Sequence, residues 1–187
     1  MSIGRNFTVR RRAGSALALA VLALPFFAAE ATAAVFIVRH AEKQSDANEK
    51  EVPLSDAGRA RAKRLAETLR DSRITAIYST DTVRTLSTAE PLARAAKLAP
   101  ILYSASGADG KVDLSALAER IRREHPSDNV LVVGHSNTIA PLIRALGSAE
   151  EVTVGAQEYD GLWIVVPQPP AAASASSGEA VLLRLRQ

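Results

Sequence analysis

The sequence contains no cysteine, and aromatic residues make up only 4% of its 187 positions. Lacking thiols, the chain cannot be a disulfide scaffold, hold a thiolate zinc site or use a cysteine nucleophile. It also lacks any internal repeat, and its one compositionally biased stretch beyond the N-terminal region is Pro167 to Gly178, a run of Pro, Ala, Ser, Gln and Gly. Such a composition reads as a flexible surface loop, taken here as residues 167–179. With 47% hydrophobic and 23% charged residues, the remainder fits one globular domain and excludes collagen-like, disordered and multi-domain chains.

An excess of positive charge is scarcer than it first looks. The formal net charge of +3 and a pI near 9.5 invite a polyanion-binding reading. Yet Arg5, Arg10, Arg11 and Arg12 lead into an uncharged Ala/Leu-rich stretch from Ala13 to Ala29, and Ala31-Thr32-Ala33 puts small residues where a cleavage site needs them. That is the layout of a secretory signal peptide over residues 1–33. The stretch also holds Gly14, Ser15 and Pro25 and is short for a membrane span, so contact with a membrane is expected only through an uncleaved leader. The expected location is periplasmic or secreted, with cleavage near Ala33. Of 23 basic and 20 acidic residues, the leader holds four Arg and Glu30, which leaves 19 of each afterwards. A formally neutral mature chain loses the support for nucleic-acid binding.

From Ala34 onward, short apolar runs alternate with helical patterns. Val35 to Val38, Ile74 to Tyr78 and Val130 to Val133 read as buried strands, and Leu98 to Leu102 as a weaker one. Ser55 to Arg70 and Asp81 to Ala95 read as helices, and Leu114, Leu117, Ala118 and Ile121 form the stripe of another. A further helix runs from a cap at Ser136 or Asn137 to Leu146 and stops at Gly147. Leu162 to Val166 and Ala180 to Leu185 are expected as final strands flanking the biased loop. Alternating strands and helices imply an α/β fold with a mainly parallel central sheet covered on both faces.

In such sheets ligands bind at the carboxyl ends of the strands. The first strand ends in Arg39-His40-Ala41-Glu42, the second in Ser79-Thr80-Asp81 with Arg84 a turn later, and the Val-rich strand in Gly134-His135-Ser136-Asn137. Two of the chain's three histidines and two arginines are thereby expected on one rim. Taken singly, other polar residues have ordinary readings. His125 suits a helix-terminal charge, Ser136 and Asn137 suit caps, and Arg120, Arg122 and Arg123 suit a solvated helix face. Trp163 and Tyr159 suit core or rim packing, while Lys43, Lys50 and Lys111 suit solvated surface.

Arg39-His40-Ala41-Glu42, Arg84-Thr85 with Thr88-Ala89, and Gly134-His135 together resemble the histidine phosphatase superfamily, also known as phosphoglycerate-mutase-like. Pro53-Leu54-Ser55 with Gly58 is similar to that family's entry into its first helix. The resemblance runs over residues 34–187 and implies a three-layer α/β/α fold. It also implies that His40 is the nucleophile, forming a phosphohistidine that water hydrolyses, with Arg39, Arg84 and His135 as catalytic and substrate-binding partners. No cofactor and no metal is expected. The chemistry is consistent with those residue types: nearby guanidiniums hold an imidazole neutral and nucleophilic, and planar arginine forks match phosphate oxygens.

One departure bears on function. Larger mutase-type relatives carry a Glu between the second Arg and the second His, but between Leu98 and Asp113 this chain has only Asp109 and Asp113. Asp113 reads as a helix N-cap, and Ser136 stands where another branch has an Asp after the second His. Glu42, Asp81 and Asp109 remain as general-acid candidates, and a leaving group that needs little protonation fits the pattern. The expectation is an exported, metal-independent phosphatase acting on a small-molecule or macromolecular phosphorylated substrate. Alternatives are a phosphoglycerate-type mutase and a non-catalytic module binding phosphosugars or lipopolysaccharide phosphates. Substrate preference is expected to come from the loops Ala41 to Val52 and Ser104 to Val112.

Overall fold

Apolar runs of four to six residues, too short for helices, form the strands. In the computed structural model, residues 33–45, 49–107, 109–167 and 180–187 are described. The expected leader, apart from Ala33, and the biased loop, apart from Pro167, lie outside them. The elements run β1 (Val35–Arg39), α1 (Asp56–Thr68), β2 (Ile74–Ser79), α2 (Val83–Ala96), β3 (Ile101–Leu102), α3 (Ser115–Glu124), β4 (Asn129–Gly134), α4 (Ser136–Ala145), β5 (Gly161–Val166) and β6 (Val181–Arg186).

The six strands form one sheet in the order β3-β2-β4-β1-β5-β6. β3, β2, β4 and β1 are mutually parallel neighbours, whereas β5 runs antiparallel to β1 and β6 antiparallel to β5. The mainly parallel sheet read from the sequence is thus correct, with an antiparallel pair on one side. β1 and β4 lie at its centre, which is why both are unbroken apolar runs: each face of such a strand is covered. Alternate side chains go to opposite sides. Val35, Ile37, Val130, Val132 and Trp163 pack with Leu117, Ile121, Leu142 and Ile143 of α3 and α4. Phe36, Val38, Ile77 and Leu131 pack with Leu65 of α1 and Ala89 and Leu92 of α2. The three-layer arrangement follows.

Helix ends correct several expected boundaries. α2 begins at Val83, later than Asp81, because the Thr82 side chain caps it by accepting from the Thr85 amide. Its far end closes on Lys97 in the left-handed region, with φ of 56°, and β3 is consequently two residues long and not five. Asp113 does serve the start of α3, its Oδ1 accepting from the Ser115 amide at 2.9 Å, although Leu114 occupies the cap position. α4 is capped neither by Ser136 nor by Asn137. His135 holds the cap position, and Ser136 is already helical.

Gly58 explains why α1 begins as it does. A Cβ there would sit 2.2 Å from the carbonyl oxygen of Glu42, so only glycine lets the helix press against the chain leaving β1. Ser55 caps α1 through the Gly58 amide at 3.1 Å, and the Ser55 amide donates to the same Glu42 carbonyl at 2.9 Å. The segment just after His40 is clamped from this side.

Candidate active site

Because β4 is hydrogen-bonded beside β1, Arg39 lies in register with Gly134. The His40 amide extends the ladder by donating to the Gly134 carbonyl at 2.9 Å. The residues that follow, His40 and His135, therefore emerge side by side with ring centroids 5.3 Å apart in an edge-on arrangement. Gly134 has its own packing reason: a Cβ would meet Thr138 Oγ1 at 2.5 Å and Tyr103 Oη at 2.9 Å. β2 ends level with them, Ser79 pairing with Val133, and it leads through Thr80 into α2, which carries Arg84.

His40 is 4% exposed. Its Nδ1 lies 2.8 Å from the carbonyl oxygen of its neighbour Ala41. A carbonyl only accepts, so Nδ1 carries the proton and Nε2 keeps its lone pair. Burial, with smaller contributions from His135, Arg39 and Arg84, pushes its pKa down to about 3, against the raising effect of the Ala41 hydrogen bond. At neutral pH the ring is an uncharged imidazole among cations.

Arg39 is buried and held in place by backbone. Its Nη1 donates toward the carbonyls of Gly155, Ala156 and Glu158 at 3.0, 2.8 and 3.2 Å. The Tyr159 ring lies under the guanidinium, 4.0 Å from centroid to Cζ. Arg84 is also buried and donates from Nη1 to the Glu49 carbonyl at 2.9 Å. Nε of each is buried with no hydrogen-bond partner among the described residues. Burial lowers both guanidiniums from their ordinary value, yet arginine remains charged at neutral pH. Two cations with unspent donors thus flank the neutral His40.

His135 is the third group. Burial first, then Arg84 and Arg39, pushes its pKa down to about 4. Its Nε2 lies 2.9 Å from Thr80 Oγ1. Its backbone is fixed by Thr138, whose Oγ1 accepts the His135 amide at 2.8 Å and donates to the His135 carbonyl at 3.0 Å.

Arg39, His40, Arg84 and His135 line one cleft of about 370 Å³ together with Lys43, Ser136 and Asn137. All four residues singled out in the sequence are brought together. The general-acid candidates are not among the lining residues. The Glu42 carboxylate is gripped by Arg61 Nε and Nη2 at 2.6 to 3.1 Å. Asp81 pairs with Lys50 at 2.8 Å at the surface, and Asp109 accepts from the Lys111 amide. Asn137, read as a cap, instead faces the cleft. A larger cleft of about 680 Å³ is lined by Gly155 and Tyr159, beside Arg39, and by Arg61, Glu158 and Asp160, with no histidine among its described residues. Among the described residues no group of three or more His, Asp or Glu is placed to hold a metal ion.

The sequence reading missed Tyr159 and the 155–158 carbonyls as the seat of Arg39, and Thr88 as the tie to His40's neighbour. Thr88 Oγ1 accepts the Ala41 amide at 3.0 Å. Its presence in the motif was a signal, but one without a stated contact. His125 lies elsewhere, at the end of α3 between Tyr78 and Asp128, as its ordinary reading suggested.

Residues 35–105 match the model of the histidine phosphatase superfamily (branch 1). The matched stretch runs from β1 through β3 and contains Arg39, His40 and Arg84 of the cleft. Among solved structures it is similar to the protein histidine phosphatase SixA complexed with tungstate, at 17% identity and a TM-score of 0.63, covering 82% of this chain and 96% of that one. A mycobacterial glucosyl-3-phosphoglycerate phosphatase gives 17% identity and a TM-score of 0.55, covering 71% and 89%. A phosphoserine phosphatase mutant from Entamoeba histolytica, in complex with phosphoserine, gives 13% and 0.56, covering 80% and 94%. No curated protein matches the sequence. At these identities the likenesses establish the fold.

Proposed function

We propose that the protein is a phosphatase working through a phosphohistidine on His40. Nε2 attacks phosphorus, the N–P bond forms as the bond to the leaving group breaks, and the proton stays on Nδ1, hydrogen-bonded to the Ala41 carbonyl. Water then attacks phosphorus, the N–P bond breaks, and phosphate and a proton are released. Arg39, Arg84 and His135 neutralise and orient the non-bridging oxygens, which is most of what phosphoryl transfer asks of a protein. The observation that carries this reading is the pairing of a neutral, tautomer-fixed His40 with two guanidiniums that line the same cleft. A module that merely bound phosphate would need the cations but no free imidazole lone pair.

Among the described residues no carboxylate lines the cleft, which supports substrates whose leaving group departs with little help from an acid. That feature also disfavours a mutase. The relatives in the comparison act on phosphoryl groups in very different settings, so the choice between small-molecule and macromolecular substrates rests on screening. The test is turnover of a generic aryl phosphate by the purified chain and by His40→Ala. Loss of both hydrolysis and acid-labile phosphoryl labelling in the variant is expected, and full activity in the variant would overturn the reading.

Export through residues 1–33 belongs to the same proposal and is supported by the sequence layout alone. N-terminal sequencing of the protein recovered from a periplasmic fraction tests it: a start near Ala34 is expected, and an intact leader in the cytoplasm would refute it.

A further inference from the structure

Arg39 keeps its charge in a place where burial works against it, and Tyr159, Glu158 and Glu42 work for it. Its Nη1 is shared among the carbonyls of Gly155, Ala156 and Glu158, and the Tyr159 ring lies under the guanidinium. All these contacts come from one five-residue stretch between α4 and β5. That stretch belongs to no helix or strand, so no regular ladder aims its carbonyls and other bonds must fix their direction.

Glu158 supplies those bonds. Its amide donates to the Gly155 carbonyl at 3.0 Å, and its side-chain Oε2 accepts the Gly155 amide at 3.0 Å. One residue thus closes the 155–158 turn through both its backbone and its side chain, and its own carbonyl is the third that Arg39 uses. The other carboxylate oxygen, Oε1, pairs with Arg184 of β6, with Arg186 4.0 Å away. The Glu158 side chain is only 15% exposed. The Gly155 hydrogen bond, ahead of Arg184 and Arg186 and against burial, holds its carboxyl below the ordinary value, so it is ionised at neutral pH. A bond from a backbone amide to an ionised carboxylate is stronger and more directional than a half-exposed ion pair. Gly155 is where the two sets of contacts meet, since Glu158 holds its amide and Arg39 takes its carbonyl.

We propose that Glu158 is a positioning residue: by closing the 155–158 turn on the Gly155 amide, it fixes the carbonyls that seat Arg39 and so sets where the guanidinium stands beside His40. The proposal rests on the phosphatase reading above. Glu158 is not among the residues that line the smaller cleft, so its effect passes through Arg39. A cation that must meet a phosphoryl oxygen loses much of its value when its seat is loose.

The test uses calorimetric binding of inorganic phosphate, thermal unfolding and amide hydrogen exchange on the full chain. In the unaltered protein the Gly155 amide is expected to exchange slowly although the residue is exposed. Glu158→Ala is expected to weaken phosphate binding about tenfold, the weight of one lost charge-assisted hydrogen bond. Glu158→Gln, which keeps an oxygen for the Gly155 amide, should recover most of that loss. Arg184→Ala breaks the ion pair but leaves the Gly155 bond, so phosphate affinity should stay within about twofold whatever happens to Tm. In an Arg39→Ala background, Glu158→Ala should have no further effect on phosphate binding. A Gly155 amide that exchanges at the free-chain rate overturns the proposal without any variant. So does a Glu158→Ala that lowers Tm but not phosphate affinity, an Arg184→Ala as damaging to binding as Glu158→Ala, or an equal loss with and without Arg39. Absence of aryl phosphate turnover in the unaltered protein would overturn the phosphatase reading instead, and phosphate binding would still decide the role of Glu158.

Discussion

The Thr88 hydroxyl accepts the amide of Ala41 at 3.0 Å while donating to the carbonyl of Arg84 at 2.7 Å. One buried side chain thereby ties the end of β1, with Arg39 and His40, to the helix that carries Arg84. Removing the hydroxyl in Thr88→Val leaves the buried Ala41 amide unpaired, at an expected cost of about 1 to 3 kcal/mol. Urea unfolding measures that loss. Activity should fall even where the protein stays folded, because the proposed nucleophile His40 and the neighbouring Arg84 lose their common support.

Stability should depend on pH through the two histidines. His40 and His135 are pushed down to about 3 and about 4 in the folded chain from an ordinary value of 6.5, first by burial and then by the neighbouring positive groups. Between those values the unfolded chain binds more protons than the folded one, so stability rises with pH across this window and is lost on acidification from about pH 6.5. Thermal unfolding from pH 7 to pH 4 checks the sign. His40→Asn should show a shallower fall than the unaltered chain, and an equal slope would remove His40 from the explanation.

Gly58→Ala should disturb the active site from behind. The added Cβ would sit 2.2 Å from a backbone oxygen of Glu42, so α1 or the segment after His40 must move. Overpacking of this sort costs about 1 to 3 kcal/mol, visible as a lower Tm. Activity should drop with it, since that segment also supplies the Ala41 carbonyl that holds the His40 proton.

Glu42→Gln separates structure from catalysis at the most conspicuous carboxylate of the first motif. Burial works to raise the Glu42 pKa, but the hydrogen bonds from Arg61 outweigh it and hold the carboxyl below its ordinary value. The group is therefore an ionised partner of Arg61 at neutral pH. The variant should lose about 1 kcal/mol of stability and keep most of its aryl phosphate turnover. A collapse of turnover with loss of one limb of the pH–rate profile would instead make Glu42 the general acid.

Much of this molecule was already legible in its residue pattern. The apolar runs at Val35 and Val130 and the stripe through Leu117 and Ile121 state which residues are buried, because burial alternates with the local period of strand or helix. The position of Arg39-His40 and Gly134-His135 at strand ends, and of Arg84 early in a helix, follows from that same local rule. By itself, then, the sequence determined the layers, the element order and the four residues that meet in the cleft. What it left to the tertiary structure was set by contacts between distant parts of the chain. Strand order β3-β2-β4-β1 puts His135 beside His40, and no periodicity encodes which strand is whose neighbour. The direction of the Glu42 carboxylate toward Arg61, the seating of Arg39 on the 155–158 carbonyls and Tyr159, and the contact of Thr80 with the His135 ring were decided in the same way. Each depends on where a side chain points and what lies opposite it, and those are properties of packing between elements, not of any one element's pattern.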